Sequence, residues 1–241
     1  MSELESRIAA KFTEIADGGW FPSALPAEHH QLRAVCDALT IQPGQRILDA
    51  GCARGRFLKA LVPTQADLYG VDLTEIFLSD ARRNVPTAQF CQGSLAQLPF
   101  AAGTFDAILC VEALEHLPDT GAAIRELARV LKPEGTLVII GKNARGLHPG
   151  TLIPNAIWKR WHELKGDWMY SGDFPFRERW FHPDKLRDEL RAHFRTAETR
   201  FLIEPGARYA PLVKLFPMLA FEAAWIARFP IINQSAISYC S

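Results

Sequence analysis

At 241 residues the chain can bury a sizeable core as one domain with an appended segment. Its 48% hydrophobic and 22% charged content is ordinary for a globular fold and excludes a disordered or fibrous chain. Twenty-seven basic residues balance 27 acidic ones, so no global field draws the chain to nucleic acid or to an anionic membrane. The five cysteines (Cys36, Cys52, Cys91, Cys110, Cys240) form no CxxC pair, which favours a reducing cytoplasm over a disulfide framework. Glu3 and Glu5 precede no apolar h-region, so no signal peptide is expected.

Leu4, Ile8, Phe12 and Ile15 recur at helical spacing before Gly18-Gly19, and a second helix is expected over 27–39, after Pro26. His29 and His30 read as solvated residues of that second helix. Arg46 to Ala50 is a short apolar strand that breaks at a turn holding Gly51 and Gly55, then continues as a helix over 54–62. Glycine in such a turn lets backbone N–H groups approach a ligand that a Cβ would push away. A second strand, Leu68 to Asp72, ends in a carboxylate at the spacing that places an acid beside ribose hydroxyls in βαβ nucleotide folds. The ligand is therefore expected to be an adenosine derivative. A dinucleotide fingerprint would need glycines where Ala53 and Arg56 stand, and the Gly-Lys-Ser/Thr of a P-loop is absent.

Thr74 is a plausible N-cap for a helix ending near Val85-Pro86. Strands follow over 88–93 and 105–111, then a helix over 120–131 with Ile124, Leu127, Ala128 and Leu131 on one face, then a strand over 136–140. The run Ala107-Ile108-Leu109-Cys110-Val111 is apolar throughout, as suits a central parallel strand covered on both faces. The alternation of strands and helices argues for a doubly wound α/β sheet.

Asp49-x-Gly51-x-x-x-Gly55, Asp72 and Leu131-Lys132-Pro133-x-Gly135-x-Leu137 together resemble the ordered motifs of class I S-adenosylmethionine (SAM) methyltransferases, over residues 45–142. The resemblance implies a mostly parallel seven-stranded Rossmann-like sheet and SAM as cofactor. It implies that Asp49 helps hold the cationic methionine end and that Asp72 holds both ribose hydroxyls. Cys52 and Ala53 belong to the turn, with Ala53 in place of the usual middle glycine, and Leu73, Leu95 and Val111 would flank the cofactor. Ser94 stands where the family commonly has an aspartate for the adenine amino group; its hydroxyl could still bond the adenine edge, assisted by the backbone amide of Leu95.

Glu112-Ala113-Leu114-Glu115-His116 follows the fourth strand directly, where open α/β sheets gather their ligands. In a helical turn Glu112, Glu115 and His116 would share one face. His116 could take a proton from an acceptor hydroxyl. Alternatively Glu112, Glu115 and His116 could ligate Mg²⁺ or another divalent metal, with a fourth ligand from His148 or His162. The wording of this stretch is similar to ubiquinone-biosynthesis O-methyltransferases and to the metal-binding ExxEH of small-RNA 2′-O-methyltransferases. The bland alternative gives His116 a place in the pocket wall only.

Residues 143–181 concentrate aromatics (Trp158, Trp161, Trp168, Tyr170, Phe174, Phe176, Trp180, Phe181) among Lys159, Arg160, Lys165, Arg177 and Arg179. They suit a lid over an aromatic or lipid-like small-molecule acceptor, or a subdomain packing its own core; the balanced charge disfavours RNA. His182-Pro183 opens a further helix, followed by a strand over 196–203. Leu212 to Ile232 is expected to form an extra C-terminal helix, too interrupted by charge to span a membrane. It would pack on the sheet, or else make peripheral membrane contact or a homodimer; Gln234 to Tyr239 would form a last strand.

The expected organisation is one domain: N-terminal helices at 1–44, a SAM core at 45–142, an acceptor or lid insertion at 143–181, and closing helices and strands at 182–241. The expected activity is cytoplasmic SAM-dependent methyl transfer to a small molecule, at a hydroxyl oxygen. A metal-assisted O-methyltransferase and a non-catalytic SAM-binding partner subunit are the alternatives.

Overall fold

The computed structural model describes residues 2–170, 172, 174–203 and 209–231. Seven strands form one sheet: β1 Arg46–Ala50, β2 Asp67–Asp72, β3 Gln89–Gln92, β4 Phe105–Val111, β5 Leu131–Lys142, β6 Phe194–Leu202 and β7 Glu222–Pro230. Eight helices accompany them among the described residues: α1 Glu3–Glu14, α2 His30–Ala38, α3 Arg56–Leu61, α4 Glu75–Asn84, α5 Thr120–Val130, α6 Asn155–Lys165, α7 Pro183–Arg191 and α8 Ala210–Leu215.

The strand order is β3-β2-β1-β4-β5-β7-β6. β1 to β5 are parallel, and β7 runs antiparallel between β5 and β6. The order reverses between β1 and β4, and the carboxyl ends of those two strands frame the crevice where such sheets bind ligands.

Successive residues of the central strands face opposite layers. Leu48, Ile108, Cys110 and Ile139 pack with Ile124 and Leu127 of α5 and Leu186 of α7. Ile47, Leu109, Val138 and Ile140 pack with Val35 of α2 and Leu58 of α3. Two covered faces explain why these strands read as unbroken apolar runs.

The expected C-terminal helix is corrected. Only α8 and a 3-10 turn at Pro217–Leu219 are helical there, and Glu222–Pro230 is the strand that closes the sheet. A short apolar run reads alike as buried helix or buried strand, and Ala223 to Ala227 are buried on both faces. The Trp225 indole N–H donates to the Pro183 carbonyl at 2.9 Å, tying β7 to the start of α7. The last strand expected at Gln234 to Tyr239 lies outside the described residues.

α2 is also shorter than expected, and its two histidines are not simply solvated. His30 Nε2 lies 2.7 Å from the buried carboxylate of Glu222, and the His29 ring stacks on that of His30 at 4.9 Å.

Candidate functional site

The turn after β1 is built for close backbone approach. Gly51 (φ +85°) and Gly55 (φ +77°) are left-handed, and Ala53 adopts φ +43° despite its Cβ. A Cβ on Gly51 would sit 2.3 Å from the Cβ of Ala113, so the β1 turn and the β4 turn touch at this point. Asp72 orders the same loop from β2: it accepts the Ala53 N–H through Oδ2 and the Thr74 N–H through Oδ1, both at 2.9 Å.

Asp49 is 1% exposed, and neither carboxylate oxygen has a hydrogen-bond partner. Burial pushes its pKa up to about 7, against the opposing pull of Arg56, with Asp72 adding to the rise. An unpartnered buried carboxylate is costly, and it is the signature of a site whose partner is a cationic ligand. The Asp49 carboxylate and the glycine cradle thus fit the methionine end of SAM.

On the β3 side Ser94 is buried and donates its hydroxyl to the carboxylate of Glu5 in α1. Ser2 and Glu5 form a capping box that fixes this first turn. Leu95 is buried behind Ser94, and Leu73 packs with Leu4, Ile8 and Phe12 of α1. Helix α1 therefore lies across the crevice from the Ser94 end to His116, whose ring stands 5.1 Å from that of Phe12. Cys52 and Val111 are buried in the core beneath, where they act as apolar packing.

The β4 turn differs from the single helical face expected for it. Glu112 takes φ +51°, and Leu114–His116 is one 3-10 turn. Glu112 turns to Arg56 (3.5 Å) and to Lys142 Nζ (3.2 Å), the last residue of β5. The same ammonium reaches Glu115 at 3.3 Å and Glu178 at 3.4 Å. Three carboxylates thus share one half-buried cation, and two of them, Glu115 and Glu178, are themselves buried. The attraction of Lys142 and Arg56 overcomes burial and holds Glu112 down at about 2. For Glu115 burial prevails, and its pKa rises to about 7. Glu178 is anchored by the indole N–H groups of Trp168 (2.9 Å) and Trp180 (3.1 Å).

His116 is kept neutral, because burial lowers its pKa to about 4. Its Nδ1 lies 3.2 Å from the Tyr170 hydroxyl. When Nδ1–H donates to that hydroxyl, Nε2 is left as an acceptor able to take a proton.

Glu115, His116 and Glu178 bring one donor atom each within 4.8 Å of one another, so they are the group that could hold a metal among the described residues. Glu112 does not join them, and neither does either expected fourth ligand, His148 or His162. His148 stacks on Trp158 at 4.1 Å, and His162 bonds Asp167 at 2.8 Å within the same aromatic stack. Glu178 was not visible as a candidate because it stands between Arg177 and Arg179, like any solvated charged run. Lys142 did carry a signal: it is a charged residue at the carboxyl end of a buried strand.

The comparisons agree with this architecture. A family profile described as "Methyltransferase domain" matches residues 48–139. The chain is 27% identical to a ubiquinone biosynthesis O-methyltransferase of Marinobacter nauticus over 232 residues, covering 89% of this chain and 90% of that one. It is 30% identical to the enzyme of the same name from Thiobacillus denitrificans over 156 residues, covering 60% of this chain and 67% of that one. A solved SAM-dependent methyltransferase of Thermotoga maritima shares the fold, with a TM-score of 0.63 and 20% identity over 92% of this chain and 99% of that one. The motifs, the sheet order and these relatives together place the chain in the class I SAM-dependent methyltransferases.

Proposed function

We propose that this methyltransferase acts on a hydroxyl oxygen of a small, aromatic or lipid-like acceptor, with His116 as the proton-accepting group. The observation that carries the reading is the contact of Gly51 with Ala113, which sets the cofactor turn against the turn bearing a neutral His116. The relatives named ubiquinone biosynthesis O-methyltransferases point the same way. SAM supplies an electrophilic methyl group when bound. The chain's own part is to hold the donor, orient the acceptor in line and exclude water. Asp49 would take the methionine ammonium, Asp72 the ribose and Ser94 the adenine edge, with Gly51, Cys52, Ala53, Gly55, Leu73, Leu95 and Val111 shaping the pocket. The 143–181 segment would supply the acceptor wall through Tyr170.

In His116→Ala, kcat should fall about 10²–10⁴-fold while SAM affinity is retained. Because the imidazole titrates at about 4, kcat/KM should stay level from neutral pH down and drop only as the ring protonates. Full turnover by the variant would remove His116 from the mechanism.

Asp49 offers a second check. Its proton must leave before it can face an ammonium, so SAM affinity should rise about tenfold per pH unit as pH approaches about 7 from below. Calorimetry in buffers of different ionisation enthalpy should report proton release on binding. A pH-independent affinity with no proton released would remove Asp49 from the methionine site.

A metal-assisted version is favoured by one observation, the convergence of Glu115, His116 and Glu178. Those residues would then be the ligands, and the ion would compete with the Lys142 ammonium that already contacts both carboxylates. Turnover that survives a strong chelator and gains nothing from added Mg²⁺, Mn²⁺ or Zn²⁺ would decide against it.

A further inference from the structure

Glu5 is a buried acid that the packing of α1 does not require. Leu4, Ile8 and Phe12 of that helix pack with Leu73, the residue that follows Asp72. Glu5 stands between Leu4 and Ile8 and is only 7% exposed. Its carboxylate accepts the Ser94 hydroxyl through Oε1 and the Ser2 N–H through Oε2, the latter at 2.6 Å. Burial pushes its pKa up, but the bonds from Ser94 and Ser2 outweigh burial and hold the carboxyl below its ordinary value. Glu5 is therefore ionised at neutral pH. The capping box accounts for the bonds to Ser2; it gives no reason to bury the acid against the loop after β3.

Counting donors and acceptors shows what this acid can still do. The Gly93 N–H donates to the Asp72 carbonyl at 3.0 Å, so the loop carrying Ser94 and the end of β2 form one edge of the crevice. The Ser94 hydroxyl gives its one proton to Glu5 and accepts the Ala96 N–H at 3.0 Å. It has no donor left for a ligand and a single lone pair to offer. An ionised carboxylate has about four acceptor positions, and the bonds from Ser94 and Ser2 fill only part of them. Adenine presents an exocyclic amino donor on its edge, where hypoxanthine presents a carbonyl. A charged acceptor with spare lone pairs attracts the amino group strongly and repels a carbonyl placed there instead.

We propose that the Glu5 carboxylate, held in place by Ser94, accepts the amino group of adenine and selects an adenine base in the cofactor. This rests on the placement of the adenine edge beside Ser94 proposed above. Ser94 then acts as a positioning residue, and the contact with the base passes to α1. Helix α1 becomes a wall of the cofactor site at its Glu5 end and meets His116 through Phe12 at the other. Cofactor recognition thereby depends on a segment some 40 residues before the glycine turn, outside the βαβ unit that carries the other cofactor residues.

The test is calorimetric binding of S-adenosylhomocysteine and of S-inosylhomocysteine, its counterpart with a carbonyl in place of the amino group, to the whole chain. Wild type should prefer the adenine ligand by about 10–100-fold, the worth of one charge-assisted hydrogen bond. Glu5→Gln keeps the capping box and offers an amide that can donate to the carbonyl, so its preference should shrink to about threefold or less. A role in folding alone would weaken both ligands alike and leave the preference at its wild-type value, which overturns the proposal. Equal binding of the two ligands by wild type overturns it as well and leaves the cofactor site standing. Tighter binding of S-adenosylhomocysteine by Glu5→Ala would mean that the acid obstructs the base, and this too overturns it. Wild type that binds neither ligand would refute the cofactor site itself, and the role of Glu5 with it.

Discussion

Lys142→Met is expected to cost about 3–5 kcal/mol of folding stability, because it leaves buried carboxylates without the cation they share. Glu112, Glu115 and Glu178 all lie within 3.4 Å of that ammonium, and methionine keeps the volume while removing the charge. The pH dependence identifies the cause. Glu112 is held at about 2, below its ordinary value of 4.5, so its contribution is full above 4.5 and is lost as pH falls toward 2. Glu115 runs the other way: with its pKa raised to about 7, its ionisation destabilises the fold above that pH and costs nothing below 4.5. Without Lys142 the carboxylates shift upward together and can bind protons on mild acidification. Urea unfolding should therefore show the variant's deficit at its largest above pH 7 and shrinking toward pH 5. A deficit independent of pH would mean that only packing had been lost. A deficit below about 1 kcal/mol would place the cage in solvent, where ion pairs are weak.

Gly51→Ala should be the most damaging single-methyl change in the cofactor turn. The new Cβ would lie 2.3 Å from the Cβ of Ala113, and the backbone at φ +85° is disfavoured for any side chain. The conformational part is about 1–2 kcal/mol, and the overlap adds about 1–3 kcal/mol if the turns must separate. The two parts can be measured apart. Ala113→Gly in the same chain removes the overlap and leaves the backbone term, so the double variant should recover roughly half the loss. SAM affinity should fall in Gly51→Ala and partly return in the double variant, since the same contact sets the cofactor turn against the His116 turn. If Ala113→Gly rescues neither stability nor affinity, the contact between the turns is not what positions them.

The cofactor half of the molecule was legible because its signals are local. Strand β1, its two left-handed glycines and the carboxylate ending β2 lie within one βαβ unit, and the observed β1 and β4 match the sequence reading residue for residue. The acceptor half was legible only as composition. The aromatics of 143–181 were visible, but whether each lines a pocket or packs a core depends on partners far along the chain. Tyr170 turned inward to His116, and Trp168 and Trp180 turned to Glu178, whereas Trp161 stayed outside. The misreading of 222–230 has the same origin, since burial on two faces erases the periodicity that separates a strand from a helix.

The sequence by itself determined the fold class, the methyl donor and the positions of Asp49, Gly51, Gly55 and Asp72, because each depends on backbone conformations and spacings set within a few dozen residues. Only the tertiary structure decided that Glu5 of α1 meets Ser94, that Glu112, Glu115 and Glu178 converge on Lys142, and that β7 is a strand. Those outcomes depend on which charges are buried together. Burial is a property of the packed sheet and of the layers laid over it, and short-range pattern does not carry it.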